Sequence, residues 1–392
     1  MPNIAPFQAI HYPWDADFDE LTAPPYDVIS PTEAEGLRTS DDHNVIRVSV
    51  GGDYSNESQA KYDQAALSLR QWLGSGVLVK DDDALFYAYS MEYQVEAEMR
   101  TTAGLLAALT LEPFGTGGIH PHERTIPGPI KDRFELMKTT KANLEPLWFF
   151  ASSRLDGFGA LMESTLEAPP LAQVSKAGVR HRIWALQPDK VADVAAGAGE
   201  TPFVIADGHH RYETALAYRE LMRQESGPGP WDETLALIVD PVDFPPLLAP
   251  IHRIVTEMDT QSLMSLAASQ GIELAPFEGD LPALVAEVTQ RGPGHIGVAA
   301  QDASWVMAAQ GDLDTTFLND KILEPLGAEV TYEHDAGEIA ATVNAGSEAF
   351  ILAAAPIDLV AKKAEAGDRM PPKTTLFWPK PRTGFVMRDL TK

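Results

Sequence analysis

An acid, a glycine, two histidines and an arginine stand in consecutive positions in the run Phe203-Val-Ile-Ala-Asp-Gly-His-His-Arg-Tyr-Glu-Thr-Ala-Leu-Ala-Tyr218. The apolar start, Phe203 to Ala206, predicts a short strand; Asp207-Gly208 predicts a sharp turn, and a helix opening on His209 follows. Gly208 lacks a Cβ and lets the backbone approach a ligand closely. The N–H groups of a first helical turn point outward, and the helix dipole favours an anion there. Arg211 adds a planar fork matched to phosphate or carboxylate oxygens. Asp207, at the strand end, could hold a metal, accept a proton or simply cap the helix. Adjacent helical residues project about 100° apart, so one of His209 and His210 can meet a small ligand while the other braces the loop.

A second constellation is Gly115-Thr-Gly-Gly-Ile-His-Pro-His-Glu-Arg-Thr125, followed by Lys131-Asp-Arg133. A glycine run delivers His120, His122, Glu123 and Arg124 on one loop, and Pro129 suits the first turn of a helix carrying Lys131 and Arg133. The His-x-His-Glu spacing puts alternate side chains on one face, as a metal site would need, but no further ligand is evident. Phosphate chemistry fits these residues better: Arg124, Lys131 and Arg133 supply charge, and Glu123 a base or an Mg²⁺ ligand. Two flanking motifs add Asp27, in Ala23-Pro-Pro-Tyr-Asp-Val28, and Lys373, in Met370-Pro-Pro-Lys-Thr-Thr-Leu-Phe-Trp-Pro-Lys380. Asp27 could act in catalysis or bond neighbouring N–H groups, and Lys373 could reach a phosphate. Phe377 and Trp378 read as core rather than as a stacking platform.

Composition removes whole classes of function. The chain has 392 residues, Asp+Glu 57 against Lys+Arg 30, a formal charge of -27 and no cysteine. Such an acidic surface repels a nucleic acid. Disulfide frameworks and thiol chemistry are excluded. The first residues show neither a basic region nor an apolar segment of the kind that targets secretion, and no apolar run reaches membrane-spanning length. A cytoplasmic enzyme acting on a small molecule is the expectation, with its oligomeric state open.

The motifs resemble a known family. Ala23–Val28, His122–Thr125, Lys131–Arg133, Ala206–Ala215 and Met370–Lys380 together resemble domain of unknown function 1015 over almost the whole chain. The Asp207-Gly-His-His-Arg211 string is similar to that of the ParB/sulfiredoxin-like superfamily, and within it to the free-serine kinases. That resemblance implies a nucleotide-binding core in which a Gly-x-x-Arg turn at a helix N-terminus binds phosphates. Sulfiredoxins place their reactive cysteine after the glycine, where this chain has His209, so peroxiredoxin repair is excluded. The function implied is nucleotide-dependent phosphoryl transfer to a small hydroxyl-bearing metabolite, with ATP or ADP and Mg²⁺ as cofactors and serine as the first guess for acceptor. In that scheme Gly208, Arg211, His122, Arg124, Lys131, Arg133 and Lys373 hold the nucleotide, while Asp207, His209, His210, Glu123 and Asp27 serve the chemistry. A nucleotide or phosphoester hydrolase and a non-enzymatic nucleotide sensor are the alternatives.

The elements that must position these residues read as a mixed α+β and α/β chain. We expect residues 1–257 to form an α+β region containing the ParB/sulfiredoxin-like core, and residues 258–392 an α/β C-terminal part. Ala60 to Leu73 predicts an amphipathic helix with Tyr62, Ala66, Leu69 and Leu73 near one face and Gly74 closing it. Leu85–Val95 and Thr102–Leu111 predict paired strands joined by a turn at Glu96–Arg100. Leu147–Phe150 and Arg182–Leu186 are further strands, Pro188–Thr201 a linker, and Arg223–Pro230 a loop. Beyond Met258, strands at Ile296–Ala300, Trp305–Ala308 and Phe350–Leu352 alternate with helices at Leu281–Gln290 and Asp335–Asn344. His43-Asn44 and His252-Arg253, each beside an apolar strand, read as structural.

Overall fold

A computed structural model describes residues 2–50, 59–95, 97–125, 127–256 and 258–392. The chain divides into two compact units. The first comprises Met1–Pro121, Thr125–Leu247 and Pro379–Lys392; the second comprises His122–Arg124 and Leu248–Trp378. The fold is mixed α/β, and among the described residues no helix is long and apolar enough to cross a membrane.

A nine-stranded mixed sheet organises the first unit. Its strands are β1 (Ile4–Ala5), β2 (Phe86–Val95), β3 (Glu98–Thr110), β4 (Ile119–His120), β5 (Leu147–Ala151), β6 (Ala172–Lys176), β7 (Val179–Leu186), β8 (Phe203–Asp207) and β9 (Glu233–Val239). They run in the order β4-β8-β5-β9-β3-β2-β7-β6, with β1 added to β3. Pairings β8/β4 and β9/β5 are parallel, whereas β8/β5, β9/β3, β2/β3 and β2/β7 are antiparallel. The central strands are buried on both faces, which is why β5 reads Leu-Trp-Phe-Phe-Ala without alternation. A Cβ on Gly104 of β3 would lie 2.7 Å from Leu237 Cδ1 and 2.8 Å from the Ile238 carbonyl, so only glycine lets β9 approach there.

Three helices of the first unit pack against one another in series. Helix α1 (Gln59–Ser75) buries Tyr62, Ala65, Ala66, Ser68, Leu69 and Trp72, whereas Leu73 is 36% exposed, and the helix runs past Gly74. The larger Trp72 takes the inward place that the sequence pattern assigned to Leu73, because burying an indole removes more apolar surface. Helix α2 (Pro127–Thr140) carries Lys131 and Arg133. Helix α3 (His209–Ser226) buries His209, Tyr212, Thr214, Ala215 and Tyr218. Tyr212 stacks on Phe114 and meets Phe149 edge-on, joining the core beneath β8 with Ile205 and Ala215.

Other expectations are corrected. Pro188–Ala198 is a helix, not a linker: Pro188 opens it, and Val191, Val194 and Ala198 are buried at helical spacing. Arg223–Ser226 continues α3, which ends at Gly227 with φ 74°. The β2–β3 connection is tighter than predicted, since Val95 already pairs Glu98; Glu96 lies outside the described residues. Glu257, the predicted domain boundary, does too.

The C-terminal segment Pro379–Lys392 is stitched into the first unit. Arg382 donates through Nε to Thr22 Oγ1 (3.0 Å) and through Nη2 to the Thr22 carbonyl (2.9 Å); its backbone N–H donates to Tyr89 Oη (3.0 Å). Met387–Asp389 then pairs with Ala9–His11 and Ala142–Asn143 in a small four-stranded sheet.

The second unit has its own six-stranded antiparallel sheet, ordered Leu274–Phe277, Ser304–Ala308, His295–Ala299, Glu348–Ile351, His252–Val255, Val330–Glu333. Its helices Thr260–Ser269, Leu281–Arg291 and Ala336–Asn344 each begin after an aspartate, Asp259, Asp280 or Asp335, whose side chain accepts first-turn N–H bonds. Leu284, Val288, Ile339 and Val343 pack on Ala349 and Ile351.

Candidate functional site

Strand β8 ends at Asp207, Gly208 turns with φ 99° in the left-handed region, and α3 begins at His209. Gly208 is the N-cap residue and offers no side-chain cap. Asp207 therefore does not cap the helix. Its carboxylate forms a 2.8 Å pair with Arg211 Nη2 through Oδ2 and a 2.6 Å pair with Lys380 Nζ through Oδ1. Lys380 also holds Asp27 Oδ2 at 2.5 Å. The other end of the Arg211 fork, Nη1, donates to Glu145 Oε2 (3.2 Å) and to the Pro146 carbonyl (2.9 Å). Arg211 thus spans two carboxylates, and Lys380 spans two.

Electrostatics makes this cluster one unit. Burial alone would raise the Asp207 carboxyl, yet Lys380 and Arg211 hold it well below the usual carboxylate range. Burial opposes the charge of Lys380, but Asp207 and Asp27 raise its ammonium above the ordinary lysine value. Arg211 is likewise opposed by burial and raised by Glu145, Asp207 and Asp27. Glu145, only 8% exposed, is pushed up by burial, against the pull of Arg211 and Arg133. Tyr26 completes the group. Its ring lies 4.1 Å from the Arg133 guanidinium and 6.0 Å from that of Arg211, and burial pushes its hydroxyl up to about 12 against the pull of both cations.

Arg133 reaches this place from α2. It donates to the Ser49 carbonyl (2.7 Å) and grips Asp132 Oδ2 through Nε and Nη2 at 2.8 and 2.5 Å. Asp132 is held in turn by Lys61 (2.7 Å) and Tyr62 (2.8 Å) of α1. Thr214 Oγ1 donates to the Ile130 carbonyl (3.3 Å), tying α3 to α2. Arg133, Glu145 and Arg211 border one cavity of about 40 Å³.

The sequence-predicted residues therefore fall into two groups. Within the first unit, the structure gathers Asp27, Asp207, Gly208, Arg211 and Arg133. His209 is buried and His210 half-buried on the first turn of α3, while Lys131 is exposed. His122, Glu123, Arg124 and Lys373 belong to the second unit. There, His122 Nε2 lies 2.8 Å from Thr375 Oγ1, and Glu123 Oε1 accepts the Lys373 backbone N–H at 3.0 Å. Glu123 also bridges Met370, and Lys373 adopts φ 57°. Arg124 is exposed. Phe377 is buried, as its aromatic pair predicts.

Lys380 and Glu145 are the members that the sequence did not disclose. Lys380 stands in the Met370–Lys380 motif, seven residues beyond Lys373, so the motif itself was a signal. Glu145 follows Asn143-Leu144 and precedes a strand, with nothing local to separate it from a surface acid. Among the described residues, no three His, Asp or Glu side chains cluster in a way that could hold a metal ion.

Gly208 gives a direct test of the turn. A Cβ there would meet Leu147 Cδ2 at 2.7 Å and Arg211 Nη2 at 3.2 Å. Left-handed backbone adds about 1–2 kcal/mol for a residue with a Cβ. Gly208→Ala is expected to lower unfolding free energy by roughly 2–3 kcal/mol in urea denaturation, with overpacking adding to the strain. An unchanged midpoint would show that the turn relaxes freely.

Several solved structures are similar to this chain at low identity. Free serine kinase in complex with AMP is 15% identical over 70% of this chain and 88% of its own, with a TM-score of 0.38. A conserved hypothetical protein from Pyrococcus furiosus is 15% identical over 70% and 92%, at 0.36. SbnI with a C-terminal truncation, from Staphylococcus aureus, is 11% identical over 71% and 85%, at 0.40. No curated protein matches the chain. The family model matches residues 4–327, and the chain belongs to that family, the proteins of unknown function DUF1015.

Proposed function

We propose that this protein is a nucleotide-dependent phosphotransferase acting on a small hydroxyl-bearing metabolite. The observation that carries the reading is the convergence of Asp27, Asp207, Arg211 and Lys380, from three separate chain segments, on one glycine turn at a helix N-terminus. Phosphoryl transfer draws most of its rate from positioned positive charge, and Lys380, Arg211 and Arg133 supply three cations. Each is held by carboxylates, so the cations stay oriented and compensated before a polyphosphate arrives. The Asp207-Gly-His-His-Arg211 string supports the same reading through its similarity to the free-serine kinases.

Mg²⁺ is usually bound through one or two carboxylates together with substrate phosphates, and Asp27, which gives Lys380 only Oδ2, fits it better than Asp207, whose two oxygens are held by Lys380 and Arg211. The ion would neutralise phosphate charge there. His209 and His210 stand at the opening of α3, where one can meet the phosphates. His122, Arg124 and Lys373 are proposed as phosphate contacts and Glu123 as a base or Mg²⁺ ligand, on the strength of their motifs alone. A protein carrying a formal charge of -27 is a poor partner for nucleic acid.

A thermal-shift screen with Mg²⁺ and a nucleotide panel tests the reading. A nucleotide at about a hundred times its dissociation constant should add about 2.7 kcal/mol of stability. No shift with any nucleotide would sink the proposal. Turnover without any alcohol acceptor would assign hydrolysis instead.

A further inference from the structure

Among the described residues, Glu145 Oε1 is a buried carboxylate oxygen without a hydrogen-bond partner. The second oxygen, Oε2, is fixed by Arg211 Nη1 at 3.2 Å. Thr383 bears on the carboxylate, but neither Thr383 Oγ1 nor Glu145 Oε1 completes a hydrogen bond. Glu145 lines the cavity of about 40 Å³ together with Ser49, Arg133, Asn143, Leu147 and Arg211. Ser49, also on that wall, has a buried Oγ without a hydrogen-bond partner among the described residues. Such a cavity exceeds the roughly 10–15 Å³ needed for one water and admits a group of a few heavy atoms.

The other acids near the turn are poorly placed to take a proton. Asp207 commits Oδ1 to Lys380 and Oδ2 to Arg211, and Asp27 gives Oδ2 to Lys380. Asp207, held tightly in its charged form by Lys380 and Arg211, is a weak base. Glu145 has one oxygen anchored by Arg211 and the other without a hydrogen-bond partner, its side chain borders the cavity, and burial favours its protonated form.

We propose that Glu145 is the catalytic base and that the cavity receives the hydroxymethyl arm of the acceptor. The assignment rests on the phosphotransferase reading. The acceptor O–H bond breaks and its proton moves to Glu145 Oε1. The acceptor oxygen forms the new O–P bond while the phosphoanhydride P–O bond breaks, its electrons leaving with the nucleotide. Glu145 returns the proton to solvent after product release. A site of this size selects a slim primary alcohol over a branched or secondary one.

The test uses the full chain, ATP, Mg²⁺ and a panel of L-serine, ethanolamine, glycerol and isopropanol, with phosphorus NMR as the readout and calorimetry for nucleotide affinity. Glu145→Gln is expected to reduce kcat by about 10²–10⁴-fold while nucleotide affinity stays that of the parent. Glu145→Asp should recover part of the rate. Ala142→Leu narrows the cavity away from the carboxylate and should raise the acceptor KM about tenfold or more without changing nucleotide affinity. Parental turnover in a folded Glu145→Gln, or a joint loss of turnover and nucleotide affinity, overturns the assignment and leaves the phosphotransferase standing. If Glu145→Gln does not fold, an unchanged acceptor KM in Ala142→Leu overturns it. A parent that binds no nucleotide, or transfers to no alcohol, refutes the phosphotransferase reading and this one with it.

Discussion

Replacing Arg211 with alanine should destabilise the protein by about 3–5 kcal/mol, the cost of leaving buried charge without its partner. The side chain is 11% exposed, and its two nitrogens hold Asp207 and Glu145 from opposite ends of one fork. Alanine would leave Glu145 with no salt-bridge partner and remove a donor from the Pro146 carbonyl. Arg211→Lys keeps the charge but cannot span two carboxylates with a planar fork, so it should recover only part of the loss. Urea denaturation followed by circular dichroism measures both variants. Arg211→Ala unfolding with the parent, while losing nucleotide affinity, would instead assign the fork to the ligand alone.

Lys380→Ala is the second large effect, expected at about 3 kcal/mol, and it should carry a pH signature. Asp207 is held below its unfolded value, so its contribution is fully present above about pH 4 and is lost as pH falls through the folded value. Lys380 is raised, so its contribution is present below about pH 10 and is lost as pH rises through the folded value. The parent network is therefore complete through the neutral range. Without Lys380, burial works on Asp207 against only Arg211 and His209, and its carboxyl rises. Stability of the variant should then decline from a higher pH on acidification than that of the parent. Parallel stability curves in parent and variant would show that Lys380 does not hold Asp207.

The turn itself was readable because its signals are local. Phe203–Ala206 is apolar and β-prone, Gly208 alone tolerates φ 99°, and α3 follows from its helical pattern. Asp27, Arg133 and Arg211 stood out in the sequence because each stands in a dense motif, and the structure gathers them near that turn. What those motifs could not state is where the side chains end. Arg211 meets carboxylates of its own protein, and Glu123 receives a backbone N–H from Lys373.

By itself the sequence determined the strongly acidic, cysteine-free composition, the exclusion of thiol chemistry, the mixed α/β class and the strand–glycine–helix turn. These depend on residue types and on periods of two or three to four residues, which any local window carries. Tertiary structure decided that Lys380 bridges Asp27 and Asp207, and that Glu145 pairs with Arg211. Lys380 lies 353 positions from Asp27, and their approach is fixed by the pairing of the last segment with Ala9–His11 and by Arg382 on Thr22. Pairing over such distances follows from the burial and hydrogen bonding of whole elements, which no local pattern encodes.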